Sequence, residues 1–165
     1  MKRRLIFIAA FVFLSSCISF QNTSTQNNYP SASSGNFERD MLQLVNHYRT
    51  KGYRSGGVYH PPVAPVKWNT QLEAAAKGHS NYMSANNVLS HRGRNGSDPG
   101  RRIAAAGYKW STFGENVAMG QQTAEEVMNT WMRSASHRKN IMNKNVKEMG
   151  VARTGRFWTQ VFASK

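Results

Sequence analysis

From Phe37 onwards the spacing of apolar positions changes several times, and each change marks an element. Phe37, Met41, Leu44, Val45 and Tyr48 recur at helical spacing. Glu38 and Asp40 suit the positive end of that helix and Gly52 its stop. Lys51 to Pro65 is rich in Gly, Tyr and Pro and reads as a loop. Val63 to Trp68 holds a short edge strand, where Pro65 is tolerated. Thr70 with Glu73 forms a capping box. Leu72, Ala75, Ala76, His79 and Met83 then mark a second helix with a small-residue face for close packing. Arg92 to Gly100 is a polar turn, and Asp98-Pro99 opens a short helix that runs through Ile103 to Ala106.

The pattern next turns to a strand. Gly114-Glu115-Asn116-Val117-Ala118-Met119-Gly120 is apolar on both sides of a Glu-Asn pair. It predicts a buried strand at the centre of the fold that carries one carboxylate inward. A second capping box, Thr123 with Glu126, precedes a third long helix through Ala124, Val127, Met128 and Trp131. Ser134 to Ser136 breaks it, and His137 to Met142 adds a turn or two. Glu148 to Arg153 and Arg156 to Ala163 read as strands joined at Thr154-Gly155. Helices first, with strands gathered towards the end, predict an α+β fold with an antiparallel sheet. Trp110, Trp131 and Trp158 are assigned to the core, whereas Tyr59 and Trp68 beside the loop are open to binding.

The first sixteen residues have a different character. Lys2, Arg3 and Arg4 precede the uncharged apolar run Leu5 to Leu14, too short to span a bilayer and typical of a signal peptide. Leu14-Ser15-Ser16-Cys17 resembles a bacterial lipobox, which implies cleavage before Cys17 and its acylation. Ile18 rather than Asp follows, the pattern of outer-membrane sorting where the host has two membranes. Cys17 is the one cysteine, so the domain has no disulfide to draw on. Residues 17–36 then read as a polar tether with a reach of roughly 25 Å, and 37–165 as one domain of a size that can bury its own core.

Charge narrows the partners. The chain of 165 residues carries 22 Lys and Arg against 8 Asp and Glu, a net charge of +14. Without Lys2, Arg3 and Arg4 it falls by three to +11. A broad positive surface favours anions. Outside the cytoplasm these are lipid headgroups and anionic envelope polymers, and location argues against nucleic acid.

Four motifs now stand in order: Ser90-His91, Gly114-Glu115-Asn116-Val117-Ala118, Trp131 to Ile141 with Ser136-His137-Arg138 inside it, and Trp158-Thr159-Gln160-Val161-Phe162. Together they resemble the bacterial branch of the CAP superfamily (cysteine-rich secretory proteins, antigen 5 and pathogenesis-related 1 proteins), over essentially all of 37–165. The resemblance implies an α-β-α sandwich, a small, mainly antiparallel sheet between helical layers. Eukaryotic members carry two histidines and two glutamates around a cavity, and some bind divalent metal there. His91 and Glu115 match one of each. Ser134 and Phe157 stand where the other two would fall, and His137 is offered instead.

His91, Glu115 and His137 are therefore the candidate cavity residues. Two imidazoles and a carboxylate suit zinc with an open position. No His-Glu-x-x-His helix supports that, and no Gly-x-Ser-x-Gly elbow supports a serine hydrolase. The competing reading makes Glu115 a buried acid held by His91 and the backbone. Asn116 and Asn140 read as structural hydrogen-bonders, and Arg138 as a partner of Glu115, Glu125 or Glu126 or as a solvated group. Two functions are carried forward. The favoured one is an envelope-anchored binding module for an anionic envelope, lipid or host ligand. The alternative is a metal-assisted hydrolase of peptide or cell-wall bonds.

Overall fold

The computed structural model describes residues 36–165. The signal peptide, Cys17 and nearly all of the tether lie outside these residues. Element order is α1 (Phe37–Lys51), β1 (Tyr53–Ser55), β2 (Val58–His60), β3 (Lys67–Trp68), α2 (Thr70–Asn86), a short 3-10 turn, α3 (Pro99–Ala105), β4 (Thr112–Met119), α4 (Ala124–Arg133), α5 (Ala135–Ile141), β5 (Glu148–Thr154) and β6 (Phe157–Ser164). The main sheet has the order β3-β5-β6-β4. It is antiparallel except for the short parallel contact of β3 with β5. Helices cover both faces, so the fold is the expected α+β sandwich.

Alternation along β6 shows how the layers are made. Trp158 and Phe162 face one way, into a core shared with Met41, Leu44 and Val45 of α1 and Val127, Met128 and Trp131 of α4. Val161 and Ala163 face the other way, against Leu72, Ala75 and Ala76 of α2 and Ile103 of α3. Every residue of β6 is buried, as expected of a strand covered on both sides. Each large apolar side chain so placed contributes roughly 1.5–3 kcal/mol. Gly150 is required by the close approach of α2, because a Cβ there would lie 2.1 Å from the Glu73 backbone nitrogen.

Local signals behave unevenly. Asn36, Asp98 and Thr123 cap α1, α3 and α4 through their side chains. At α2 the cap is Asn69 rather than Thr70, its side chain accepting from the Gln71 and Leu72 amides. Asn outranks Thr in that role, and Glu73 instead accepts from Trp68 Nε1 at 3.0 Å. The expected loop at 51–65 contains the hairpin β1–β2. Gly56 and Gly57, at φ +55° and +80°, form the two-residue turn that matches strand twist.

The Glu115 strand needs a larger correction. β4 is an edge strand of the sheet, not its centre. It is buried nonetheless, because Asn140 of α5 lies along that edge and donates to the Glu115 carbonyl at 3.0 Å and to Asn116 Oδ1 at 2.8 Å. Gly114 makes room for this, since a Cβ there would meet Asn140 Oδ1 at 2.8 Å. Trp110 also departs from expectation. It is 41% exposed, laid over Gly100 with its Nε1 donating to that carbonyl at 3.0 Å.

Candidate functional site

Strand alternation sends Glu115 and Asn116 to opposite faces of the sheet, and this decides what each can meet. Asn116 points with Ala118 towards α4 and α5. It donates to Gln160 Oε1 at 2.9 Å and to the His137 carbonyl at 3.2 Å. Glu115 points with Val117 towards α2 and α3, its side chain only 2% exposed.

Three cationic or ionisable groups converge on the Glu115 carboxylate. His91 Nδ1 donates to Oε1 at 2.8 Å. That fixes the proton on Nδ1 and leaves Nε2 free on a ring that is 54% exposed. Arg102 of α3 donates to Oε2 at 2.6 Å, and also to the Ser97 and His91 carbonyls. One guanidinium thus ties the acid to two points of the 91–102 segment. His79 of α2 sits 3.9 Å from Oε1, but its Nε2 is 2.7 Å from the Ser90 carbonyl and its N–H is directed there. Burial holds the His79 pKa below its ordinary value, against the pull of Glu115.

Of the sequence candidates, then, His91 and Glu115 meet. His137 does not join them in contact with the carboxylate. Its backbone carbonyl accepts from Asn116, and its ring Nδ1 is buried without a partner. Burial lowers its pKa, and the proximity of His91 lowers it further. Arg138 neither pairs with an acid nor is solvated. It is buried, donating to the Met132 carbonyl at 2.6 Å and to His60 Nε2 at 3.1 Å. Phe157, where a second histidine would fall, packs against Met83 and Val117. Ser134 stands at the N-cap position of α5 without a side-chain capping bond and shares a 3.1 Å hydrogen bond with Ser136.

Sequence reasoning missed Arg102 as a site residue and placed His79 only among core positions. The available signal was position. Arg102 adjoins Ile103 in a helix too short to hide both of its faces from β4. These residues do not fit a divalent metal. Both carboxylate oxygens of Glu115 already accept from N–H donors, one of them from a permanent cation at 2.6 Å. Among the described residues no three of His, Cys, Asp or Glu gather as a ligand set. What the arrangement can do is hold a carboxylate–imidazole pair with one outward nitrogen, beside a segment rich in arginine.

The cysteine-rich secretory protein (CAP) family model matches residues 42–162. An uncharacterized protein of Bacillus subtilis, YkwD, is 33% identical over 147 residues, 88% of this chain and 53% of its own length. The chain thus spans about half of that relative. An extracellular protein of Bacillus anthracis containing an SCP domain superposes with a TM-score of 0.68 at 26% identity, over 78% of this chain and 40% of that one. An outer surface protein of Borrelia burgdorferi shares the fold at a TM-score of 0.63 and 20% identity, over 77% of this chain and 91% of its own. Among the described residues no helix is long and apolar enough to cross a membrane.

Proposed function

The chain belongs to the cysteine-rich secretory protein (CAP) family, and on that premise we propose that it is an extracytoplasmic binding module for an anionic envelope ligand, anchored through an acylated Cys17 and held off the lipid by residues 17–36. The observation that carries this reading is the cationic rim beside Glu115. Arg92, Arg94 and Arg101 are exposed on one short segment. The single acid paired with any of them is Asp98, 3.6 Å from Arg101, with both side chains mostly in water. Such a pair neutralises little, so the segment keeps its positive field. The similar extracellular and outer surface proteins support the location. The alternative, a metal-assisted hydrolase using His91, Glu115 and His137, has no observation in its favour, because Arg102 occupies the face of the acid that a metal would need.

Co-sedimentation tests the reading. The full chain should associate with anionic vesicles or anionic cell-wall polymer at low salt and release as salt rises. Replacing Arg92, Arg94 and Arg101 together by Gln should abolish the association. A chain that ignores both materials at low salt, or binds equally without the three arginines, sinks the proposal.

A further inference from the structure

We propose that the segment 88–101, with Trp110 laid beside it, docks the domain on an anionic lipid surface. The arginines would meet the headgroups, and Val88, Leu89 and Trp110 would enter the layer where headgroups give way to acyl chains. This deepens the binding-module reading, on which it rests, by choosing a lipid surface as the partner and naming the side chains that enter it.

The position of the apolar surface is the first observation. Among the described residues six large apolar side chains stand exposed: Phe37, Val58, Tyr59, Val88, Leu89 and Trp110. Scattered singly, such residues need no explanation. Three of the six bracket the short segment that carries exposed Arg92, Arg94 and Arg101. Leu89 stands three residues before Arg92. Trp110 lies against Gly100, next to Arg101, where a Cβ on that glycine would meet its ring at 2.9 Å. Arg92 and Arg101 line one shallow recess with His91, Gly96, Asp98 and Pro99. The cations thus lie between two apolar ends.

The apolar tip is also held in place. Asn87 ends α2 at φ +48°, its N–H directed to the Met83 and Ser84 carbonyls. The Val88 N–H donates to the Met83 carbonyl at 3.0 Å. Beyond Leu89, the Ser90 carbonyl lies 2.7 Å from His79 Nε2, and Ser90 Oγ accepts from the Arg92 N–H at 2.9 Å. Val88 and Leu89 are therefore presented between two fixed points, and little ordering entropy is lost when they enter another phase.

Charge selects among partners. Exposed Lys109 adds to the three arginines, and Asp98 pairs only loosely with Arg101. Each basic side chain near an anionic bilayer strengthens association roughly fivefold. A soluble anionic polymer would take the arginines and leave Leu89 and Trp110 in water. A neutral bilayer would take the apolar groups and leave the cations without counter-charge. A second copy of this chain would set like charges against each other. An anionic bilayer meets both demands, since interfacial binding grows with buried apolar area and with opposite charge together. The Trp110 Nε1 already donates to the Gly100 carbonyl at 3.0 Å, so its ring can enter the interface without stranding that N–H.

Quenching of tryptophan emission by vesicles with brominated acyl chains tests this on the full chain. The four tryptophans are Trp68, Trp110, Trp131 and Trp158, so the signal is blind to how residues 1–36 hold lipid. Phosphatidylglycerol vesicles at low salt should quench the emission and shift it to the blue. Phosphatidylcholine vesicles should not, and Trp110→Phe should remove the response. Val88→Ser combined with Leu89→Ser, with the melting temperature measured alongside, should raise the lipid concentration for half-quenching about tenfold. The same pair should leave calorimetric binding of dextran sulfate unaltered, whereas replacing Arg92, Arg94 and Arg101 by Gln should abolish both. The proposal falls if phosphatidylglycerol leaves Trp110 unquenched, if phosphatidylcholine quenches equally, or if the Val88 and Leu89 substitutions make no difference. Dextran sulfate binding that persists through such a result keeps the binding-module reading, and failure to bind either dextran sulfate or vesicles removes that reading as well.

Discussion

Arg49 and Glu115 are both charged side chains taken out of water, and the fold treats them in opposite ways. Arg49 of α1 is fully buried and, among the described residues, meets no acid. Its guanidinium donates to the carbonyls of Ala64 at 2.8 Å, Ile141 at 2.6 Å, Asn143 at 3.0 Å and Val146 at 3.3 Å. Burial lowers its pKa to about 10, so it stays charged at neutral pH. Main-chain dipoles hold that charge, and they stitch α1 to the chain before β3 and to the segment before β5. Glu115 is held instead by other side chains, Arg102 and His91, with His79 close by. Beside it buried polar atoms stand without partners, His79 Nδ1 and Arg102 Nε. Four hydrogen bonds to the backbone mark a structural device. An acid shared among ionisable side chains, beside unmet hydrogen-bonding groups, is what a binding site requires.

The largest effect should come from breaking the structural member. Arg49→Leu leaves four carbonyls without their donor, each costing about 1–3 kcal/mol if it stays dry. A loss of roughly 4 kcal/mol or more is expected in urea unfolding, enough to unfold a marginal domain. Glu115→Gln should cost less, about 3 kcal/mol, because it strands Arg102, whose side chain is 12% exposed. The difference sharpens in double variants. Adding Arg102→Met to Glu115→Gln removes the stranded cation and should recover part of the stability. Arg49 has no single partner whose removal could do so. If the Glu115→Gln cost is the same with and without Arg102, the ion pair is not what holds the acid.

Much of this division was within reach of the sequence, and the exceptions have physical reasons. Helix starts were legible because caps are local, as at Asp98 and Thr123. His91 and Glu115 were placed at one cavity through a resemblance, and their side chains lie 2.8 Å apart. Arg49 lies four residues after Val45 and so on the apolar face of α1, a signal that was present. Its carbonyl partners at 141–146 come from the far end of the chain, and no local pattern announces them. The hairpin at 53–60 also left a signal in Gly56-Gly57, outweighed by the prolines that follow. His137 was tied to Glu115 by residue type, but contact with the carboxylate depends on how α5 is placed against the sheet, which no local pattern carries. Asn116 lies beside Glu115 in sequence and faces the other way.

A pH titration probes the same contrast with a smaller effect. The folded-state pKa of His79 lies below its unfolded value, with burial the larger cause. Protons then bind the unfolded chain more readily, so the contribution to stability is complete above about pH 6.5. It declines as pH falls from there towards the folded pKa, by at most about 1.4 kcal/mol per pH unit for this one group. His137 shifts in the same direction and adds to the slope. Arg49 remains charged throughout that window and contributes nothing to it. Melting temperatures across pH 7 to about 5 should therefore fall in the wild-type chain, and fall less steeply in His79→Gln. An unchanged slope in that variant would mean that His79 is not buried as a neutral ring.

The smallest expected effect is none at all, and it bears on the chemistry of the Glu115 cluster most directly. A divalent cation approaching Glu115 must displace either the His91 N–H at 2.8 Å or the Arg102 guanidinium at 2.6 Å. Displacing Arg102 also releases the Ser97 and His91 carbonyls that the same side chain holds. Like charges only a few ångströms apart in a poorly solvated site repel by several kcal/mol. Zinc at a modest excess should thus leave the melting temperature of the wild-type chain unchanged. Arg102→Met, which clears the cation and frees Oε2, is the variant in which a zinc-dependent rise could appear. A rise in the wild type that His91→Ala or His137→Ala abolishes would show that the cluster opens to metal and that Arg102 is a movable gate. A rise confined to Arg102→Met would show that this arginine alone separates the carboxylate–histidine cluster from a metal site.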